Sequence, residues 1–239
     1  MQNDAAGVRA DLAPSGVLRT AINLGNPVLS AGTPESPAGV TVDIAREIAA
    51  RLGVPVEFLC FGAARESFEA MMTGRADICF LAIEPARAAE VAFTAPYVLI
   101  EGVYAVPVGS LLNSVADVDR PGVRIGVKQG SAYDLFLTRT LRHATVVRGA
   151  EGTDVFVVEH LEAGAGVREP VTEFVATHPG YRLIEERFME IRQAVGTAKT
   201  KRPETSRFLH EFVEELKASG FVADALRRSG QTAPVAPPA

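Results

Sequence analysis

The stretch FEAMMTGRADICFLAIEPARAAEVAFTAPYV, residues 68–98, decides the fold. Phe68, Met71 and Met72 mark a short helix, and Gly74 closes it. Asp77–Ile83 is nearly all apolar, as a strand buried on both faces requires. That strand delivers Glu84 at its C-terminal end, Pro85 opens a second short helix, and Arg87 falls in its first turn. The helix dipole disfavours a cation there. A planar guanidinium near the C-terminal edge of a parallel sheet is nonetheless well placed to hold a carboxylate bidentately. Pairing to Glu84 or Glu90 is the plainer account of the same arginine.

Upstream of this stretch the same alternation holds. Val17–Leu24 reads as a strand. Thr41 to Leu52 reads as a helix, with Ile44, Ile48 and Leu52 on one face and Gly53 as its stop. Val54–Phe61 is a second strand. The order strand, helix, strand, helix, strand predicts a parallel α/β sheet.

Downstream the order restarts. Val98–Val108 is a long extended run, Val123–Lys128 a strand and Ala132 to Leu141 a helix. Ala144–Arg148 is a strand, Asp154–Leu161 a helix, Ala163–Val167 a strand of small residues, Glu169–Thr177 a helix and Tyr181–Ile184 a strand. Phe188–Val195 reads as a further extended run. Pro203 then suits a first helical turn, and Phe208, Phe212 and Leu216 form an apolar stripe that Gly220 ends. Val222, Ala225 and Leu226 begin another short amphipathic helix. No Pro/Gly/Ser-rich linker separates the two α/β units, so the chain is expected to pass between them on extended segments.

Composition bounds the function. The chain has 239 residues, 47% hydrophobic and 22% charged, which excludes a mainly disordered protein. No apolar run approaches the roughly 18 residues of a membrane helix. Lys and Arg total 24 against 29 Asp and Glu, so no basic excess points to nucleic acid. Cys60 and Cys79 each sit inside an apolar segment and read as buried thiols. His143, His160, His178 and His210 are scattered, so no metal site and no cofactor is expected. The first residues, MQNDAAGVRADLAPSG, lack the basic, apolar and small-residue regions of a secretory signal. Either a signal has been removed or the chain is not exported by that route. QTAPVAPPA, residues 231–239, is expected to be a disordered tail.

A second candidate site is GVKQGSAYDLFL, residues 126–137. A strand ends at Lys128, Gly130 turns the chain, and Ser131 starts a helix. Ser131 with Asp134 three residues on fits a capping box. The first helical N–H groups, at Ala132 and Tyr133, then offer an anion site at the strand's C-terminal edge. Many helices that start with Ser bind nothing. The GxxxxGK[ST] and GxGxxG patterns are missing, which argues against a nucleotide phosphate as the anion.

These segments together resemble the type II periplasmic binding fold, and more narrowly the family-three solute-binding proteins of polar amino acid ABC transporters. Phe68, Gly74, Asp77, Pro85, Arg87, Phe93, Thr94, Pro96 and Tyr97 fall in register with the family's core signature. Gly39, Val42, Asp43 and Leu52 of GVTVDIAREIAARLGV match its early helix. IGVKQGSAYDLFL fits its second-lobe anion site, and the segments from FMEIRQAVGTAK onward fit its second crossover and C-terminal helices. The resemblance covers roughly residues 12–230.

It implies two Rossmann-like lobes joined by two crossover strands: residues 1–100 and 196–239 as lobe one, residues 101–195 as lobe two. A small-molecule ligand, an amino acid or related small carboxylate, would sit in the cleft at strand C-termini and be trapped by hinge closure. Arg87 would take its carboxylate, with Ser131, Lys128 and the N–H of Ala132 in the anion site of the other lobe. Phe61 would stack on the ligand, and Asn26 would line the cleft. The resemblance also implies a monomer, periplasmic location and an ABC transporter permease as possible partner, with no enzymatic activity.

The departures bear on the ligand. EAGAGVREPV places Gly166, Val167 and Arg168 where the family's acidic holder of the α-ammonium is expected, with Glu169 one or two positions off. The turn before Arg87 is short, so a hydroxyl that usually meets the carboxylate is replaced near Ala82 or Glu84. The loop GNPVL lacks the usual aromatic residue before its proline. Two accounts stay open. Arg168 joins Arg87 in the site, which favours a carboxylate without ammonium or a dicarboxylate. Alternatively Arg168 faces solvent, and Glu84 or Glu169 meets the ammonium. Two further alternatives are an enzyme resembling cyclohexadienyl dehydratases, with Glu162 or Glu169 as general acid, and a cytoplasmic ligand-sensing module.

Overall fold

The structure, a computed structural model, describes residues 2–239. The chain divides into two compact units, Met1–Leu99 with Arg192–Ala239, and Ile100–Ile191.

Unit 1 opens with helix α1 (Gln2–Leu12) and strand β1 (Leu18–Asn23). A small hairpin, β2 (Ala31–Thr33) and β3 (Ser36–Ala38), precedes helix α2 (Val40–Leu52). Then come β4 (Val56–Phe61), α3 (Ala64–Met72), β5 (Ile78–Ala82), the one-turn helix α4 (Pro85–Ala88) and β6 (Val91–Phe93). Strand β7 (Val98–Pro107) runs on into unit 2. Unit 2 continues with α5 (Val115–Val118), β8 (Arg124–Lys128), α6 (Ala132–Thr140), β9 (Thr145–Gly149), α7 (Gly152–Val158), β10 (Ala163–Val167) and α8 (Arg168–Thr177). Strand β11 (Tyr181–Ala198) carries the chain back, and α9 (Pro203–Ala218) and α10 (Phe221–Arg228) complete unit 1.

In unit 1 the sheet order is β4-β1-β5-β11, with β6 also on β11. β1 is parallel to β4 and β5, while β11 is antiparallel to β5 and β6. All five residues of β5 are buried, the expected result for a strand covered on both faces. Ala21, Cys79, Leu81 and Val91 pack on one face of this sheet against Ala70 and Met71 of α3. In unit 2 the order is β11-β7-β10-β8-β9, with β8 parallel to β9 and β10 and β7 antiparallel to β10.

The small residues of β10 have a packing cause. A Cβ on Gly164 would come within 2.7–2.9 Å of the Phe156 side chain. A Cβ on Gly152, the first residue of α7, would lie 2.5 Å from the Ala165 carbonyl oxygen. Glycine at both places lets α7 sit directly on the strands.

Three sequence expectations need correction. Tyr181–Ile184 and Phe188–Val195 belong to one strand, β11. The polar residues between them stay extended because they are served there: Glu185 pairs with Arg168, Glu186 accepts from the Val115 N–H, and Arg187 pairs with Glu101. The segment 231–239 is held, not disordered. Val235 bridges Val98, Leu99 N–H donates to the Pro234 carbonyl, and Ala236 N–H donates to the Tyr97 carbonyl. Lys217 donates to the Pro237 carbonyl, and Ala233 and Ala236 are buried. The tail's prolines lack N–H donors, but Gln231, Ala236 and Ala239 N–H donate to Leu226, Tyr97 and Glu214, and the Pro234 and Pro237 carbonyls accept. Finally, Cys60 is only half-buried, in contrast to fully buried Cys79.

Candidate functional site

Two strand edges gather the residues singled out by sequence. In unit 1, the C-terminal ends of β1, β4 and β5 lie side by side, with Asn23 paired to Phe61. Asn26 follows β1, Phe61 ends β4, and Ala82 ends β5. Arg87, in α4, turns its Nη1 toward the Ala82 carbonyl at 3.3 Å. Its side chain is almost wholly buried, and Glu84 beside it is also buried. Burial pushes the Arg87 guanidinium below its ordinary value, against the pull of Glu84 and Cys79.

Ala82, whose carbonyl meets Arg87, is held within the sheet. Ala82 pairs with Gln193 of β11, whose carbonyl accepts from Tyr97 N–H. Thr94 and Val195 exchange two hydrogen bonds, and the buried Tyr97 hydroxyl lies 3.4 Å from Thr41 Oγ1. The run Phe93–Tyr97 therefore fastens β6 to β11. Gln193 is a buried polar residue at this edge that sequence reasoning missed. Close to Arg192 and Glu190, its amide carried no distinct signal in the sequence. Asp77, at the opposite end of β5, accepts from Arg19 N, Nε and Nη2 and shapes the sheet, not the site.

Asn26 Oδ1 is buried without a hydrogen-bond partner among the described residues. Such an atom is costly unless something donates to it. Phe61 is half-buried and lies under the Arg75 guanidinium, whose carbon is 5.6 Å from the ring centre. The thiol of Cys79 is pushed up to about 12 by burial, which makes it inert packing.

In unit 2, α6, α7 and α8 all begin at the C-terminal edge of β8, β9 and β10. Lys128 ends β8, Gly130 takes a positive φ of 71°, and Ser131 caps α6. Ser131 Oγ accepts from Asp134 N–H at 3.0 Å, as the capping box requires. The reciprocal bond is displaced by one residue. Asp134 accepts from Gly130 N–H, because Ser131 N–H already donates to the Lys128 carbonyl. Asp134 is further held by Arg148. These bonds leave the helix start at Ala132 and Tyr133 aimed past a fixed turn, the arrangement that favours anions.

Lys128 is not an open cation. Its Nζ lies 2.5 Å from Glu151 Oε1, and its side chain is 11% exposed against 51% for Glu151. The Tyr133 phenol meets the Ser131 side chain and the Lys128 backbone. Burial pushes that phenol well above its ordinary value, and the charge of Glu151 adds to the effect. Glu151 and Tyr133 were missed as side chains by the sequence reading. The signal for Glu151 was Lys128 itself, a cation ending an apolar strand and in need of a partner.

The two accounts of Arg168 divide here. Its Nε lies 2.5 Å from Glu101 Oε2, and its Nη2 donates to the Glu185 carbonyl at 2.7 Å. The guanidinium is thus engaged by β7 and β11 of its own unit. Glu169, next to it, holds a buried oxygen, Oε2, with no hydrogen-bond partner among the described residues. Glu162 is disqualified as a raised-pKa general acid. Bonds from Arg124 hold its carboxyl below the ordinary 4.5, at the start of β8, opposite the edge with Lys128.

The model of the bacterial extracellular solute-binding proteins, family 3, matches residues 18–230. A search of curated protein sequences finds no match. Among solved structures, a mutant of ArgBP from T. maritima is 21% identical, with a TM-score of 0.76, covering 93% of this chain and 99% of that one. The cysteine-binding protein of Campylobacter jejuni is 20% identical at a TM-score of 0.76, covering 93% and 92%. The ancestral amino acid-binding protein AncCDT-1, a precursor of cyclohexadienyl dehydratase, is 20% identical at 0.75, covering 93% and 98%. At these identities the likeness is one of fold.

Proposed function

The chain belongs to the bacterial extracellular solute-binding proteins, family 3, and from that premise we propose that it captures an amino acid or related small carboxylate for an ABC transporter. The observation that carries this reading is the buried Arg87 guanidinium at the C-terminal end of β5. Removing a cation from water costs several kcal/mol, and a ligand carboxylate would add to the compensation that Glu84 already gives this guanidinium. Asn26, Phe61, Ala82 and Glu84 surround that edge in our reading. Ser131, the Ala132 N–H and Lys128 form the corresponding anion surface of unit 2. Of the two accounts we favour the one in which Arg168, engaged by Glu101 and Glu185, stays out of the site and Glu169 meets the ligand's ammonium group.

Binding, not catalysis, is the activity proposed, by a monomer in the periplasm with a transporter permease as partner. Several solved relatives in fold carry amino acids: AbpA of Streptococcus pneumoniae is bound to L-arginine, and a Wolinella succinogenes binding component is complexed with lysine. No helix among the described residues is long and apolar enough to cross a membrane. Isothermal titration against amino acids, keto acids and dicarboxylates tests the reading. Arg87→Ala should weaken the bound carboxylate roughly ten- to a hundredfold, for ~1.5–3 kcal/mol of charged hydrogen bonding. Unchanged affinity in that variant refutes the role of Arg87.

A further inference from the structure

Lys128 and Glu151 form a pair whose two members differ sharply in exposure. The Lys128 side chain is 11% exposed and ends β8, while the Glu151 side chain is 51% exposed and precedes α7. The backbone after Glu151 sits close on the strands, since a Cβ on Gly152 would lie 2.5 Å from the Ala165 and 3.2 Å from the Gly126 carbonyl oxygen. Glu151 Oε1 is occupied by the Lys128 ammonium. The same carboxylate is near enough to the Tyr133 phenol to raise it, and that phenol meets Ser131. Lys128, Ser131, Tyr133 and Glu151 are therefore one cluster at the start of α6.

We infer that Glu151 sets the charge preference of the binding site, selecting a carboxylate ligand that also carries a cationic or hydrogen-donating group over a dicarboxylate. The inference rests on the solute-binding reading above. Two effects of Glu151 act together. It cancels the ammonium of Lys128, so the α6 start keeps only its dipole and N–H donors for one carboxylate. Its half-exposed carboxylate still presents acceptor lone pairs to a cationic or hydrogen-donating group, while the neutral pair gives a second carboxylate no net attraction. With Arg168 held by Glu101 and Glu185, unit 2 offers no surplus cation at these positions for a second carboxylate.

The test is titration of L-arginine, L-lysine, L-glutamate and succinate into wild type, Glu151→Gln, and the double variant Lys128→Gln with Glu151→Gln. The Gln substitution keeps shape and removes charge, and a melting curve establishes that each variant is folded. In Glu151→Gln the freed Lys128 should tighten L-glutamate or succinate by about tenfold and weaken L-arginine and L-lysine by a similar factor. In the double variant the gain for the dicarboxylates should vanish. An unchanged ranking of the four probes in Glu151→Gln overturns the inference while leaving the solute-binding reading intact. Wild type that binds none of the four, nor any other amino acid or carboxylate, overturns the reading itself.

Discussion

Arg87 and Arg168 each stand just past the C-terminal end of a buried strand, yet they differ in their partners. Arg87 faces the Ala82 carbonyl in a buried setting, whereas Arg168 is 27% exposed and tied to Glu101 and Glu185. Arg168→Ala is therefore expected to cost stability, about 1 kcal/mol for a part-exposed network, and to change ligand affinity less than Arg87→Ala does. Thermal melts alongside titration measure both, and a larger affinity loss at Arg168 would reverse the assignment. The sequence put both arginines just after buried strands. It left open whether Arg168 joins Arg87, because the acids that engage Arg168, Glu101 and Glu185, lie 67 and 17 positions away. The same limit hid Glu151, which meets Lys128 only through the pairing of β8 with β9.

At the scale of elements, the strands and helices with strong periodicity were legible, and α1 was not. Among its described side chains Val8 and Leu12 mark the buried side, and Gly7 interrupts its propensity. Tertiary contact supplies the rest. Arg202, at the cap position of α9, has no capping side chain, and Asp11 of α1 takes that role. Asp11 accepts from Arg202 N–H at 2.9 Å and from Thr205 Oγ1 at 2.6 Å. Burial alone raises Asp11, but these bonds and the charges of Lys201 and Arg202 outweigh it and leave the group below its ordinary 3.8. Its stabilising contribution is thus complete above about pH 4 and is lost as pH falls through the depressed value. Asp11→Asn should destabilise by roughly 1 kcal/mol at neutral pH. That difference from wild type should shrink in acid, as denaturant melts at two pH values would reveal. A pH-independent difference would mean that the carboxylate charge is not what caps α9. Gly152 is the second element-scale case. Gly152→Ala drives a Cβ to 2.5 Å from a backbone oxygen and should cost about 1–3 kcal/mol, and an unaltered melt would contradict the close packing of α7.

For the whole molecule, β7 and β11 are the two segments that run from one unit into the other. Val98–Val108 and Phe188–Val195 read in the sequence as extended runs, and the lack of a linker was visible as well. The polar middle of β11 was misread as a break, since charge patterning does not reveal that Glu185, Glu186 and Arg187 are each paired while extended. The C-terminal segment was misread from composition alone. It is fastened at Tyr97–Leu99, where β7 begins, and by Lys217 of α9. Deleting residues 231–239 should lower the melting midpoint by a few degrees, at roughly 2–4 °C per kcal/mol for a chain of this size. A midpoint unmoved by the deletion would show that these contacts contribute nothing.

The central claim is that Arg87 receives the carboxylate of a bound amino acid or related solute. A crystal structure of the protein with the ligand that titrates most tightly tests it most directly. The account predicts carboxylate oxygens within about 3.2 Å of the Arg87 guanidinium nitrogens. A ligand bound with its carboxylate elsewhere, and Arg87 still facing only the Ala82 carbonyl and its present neighbours, would contradict it.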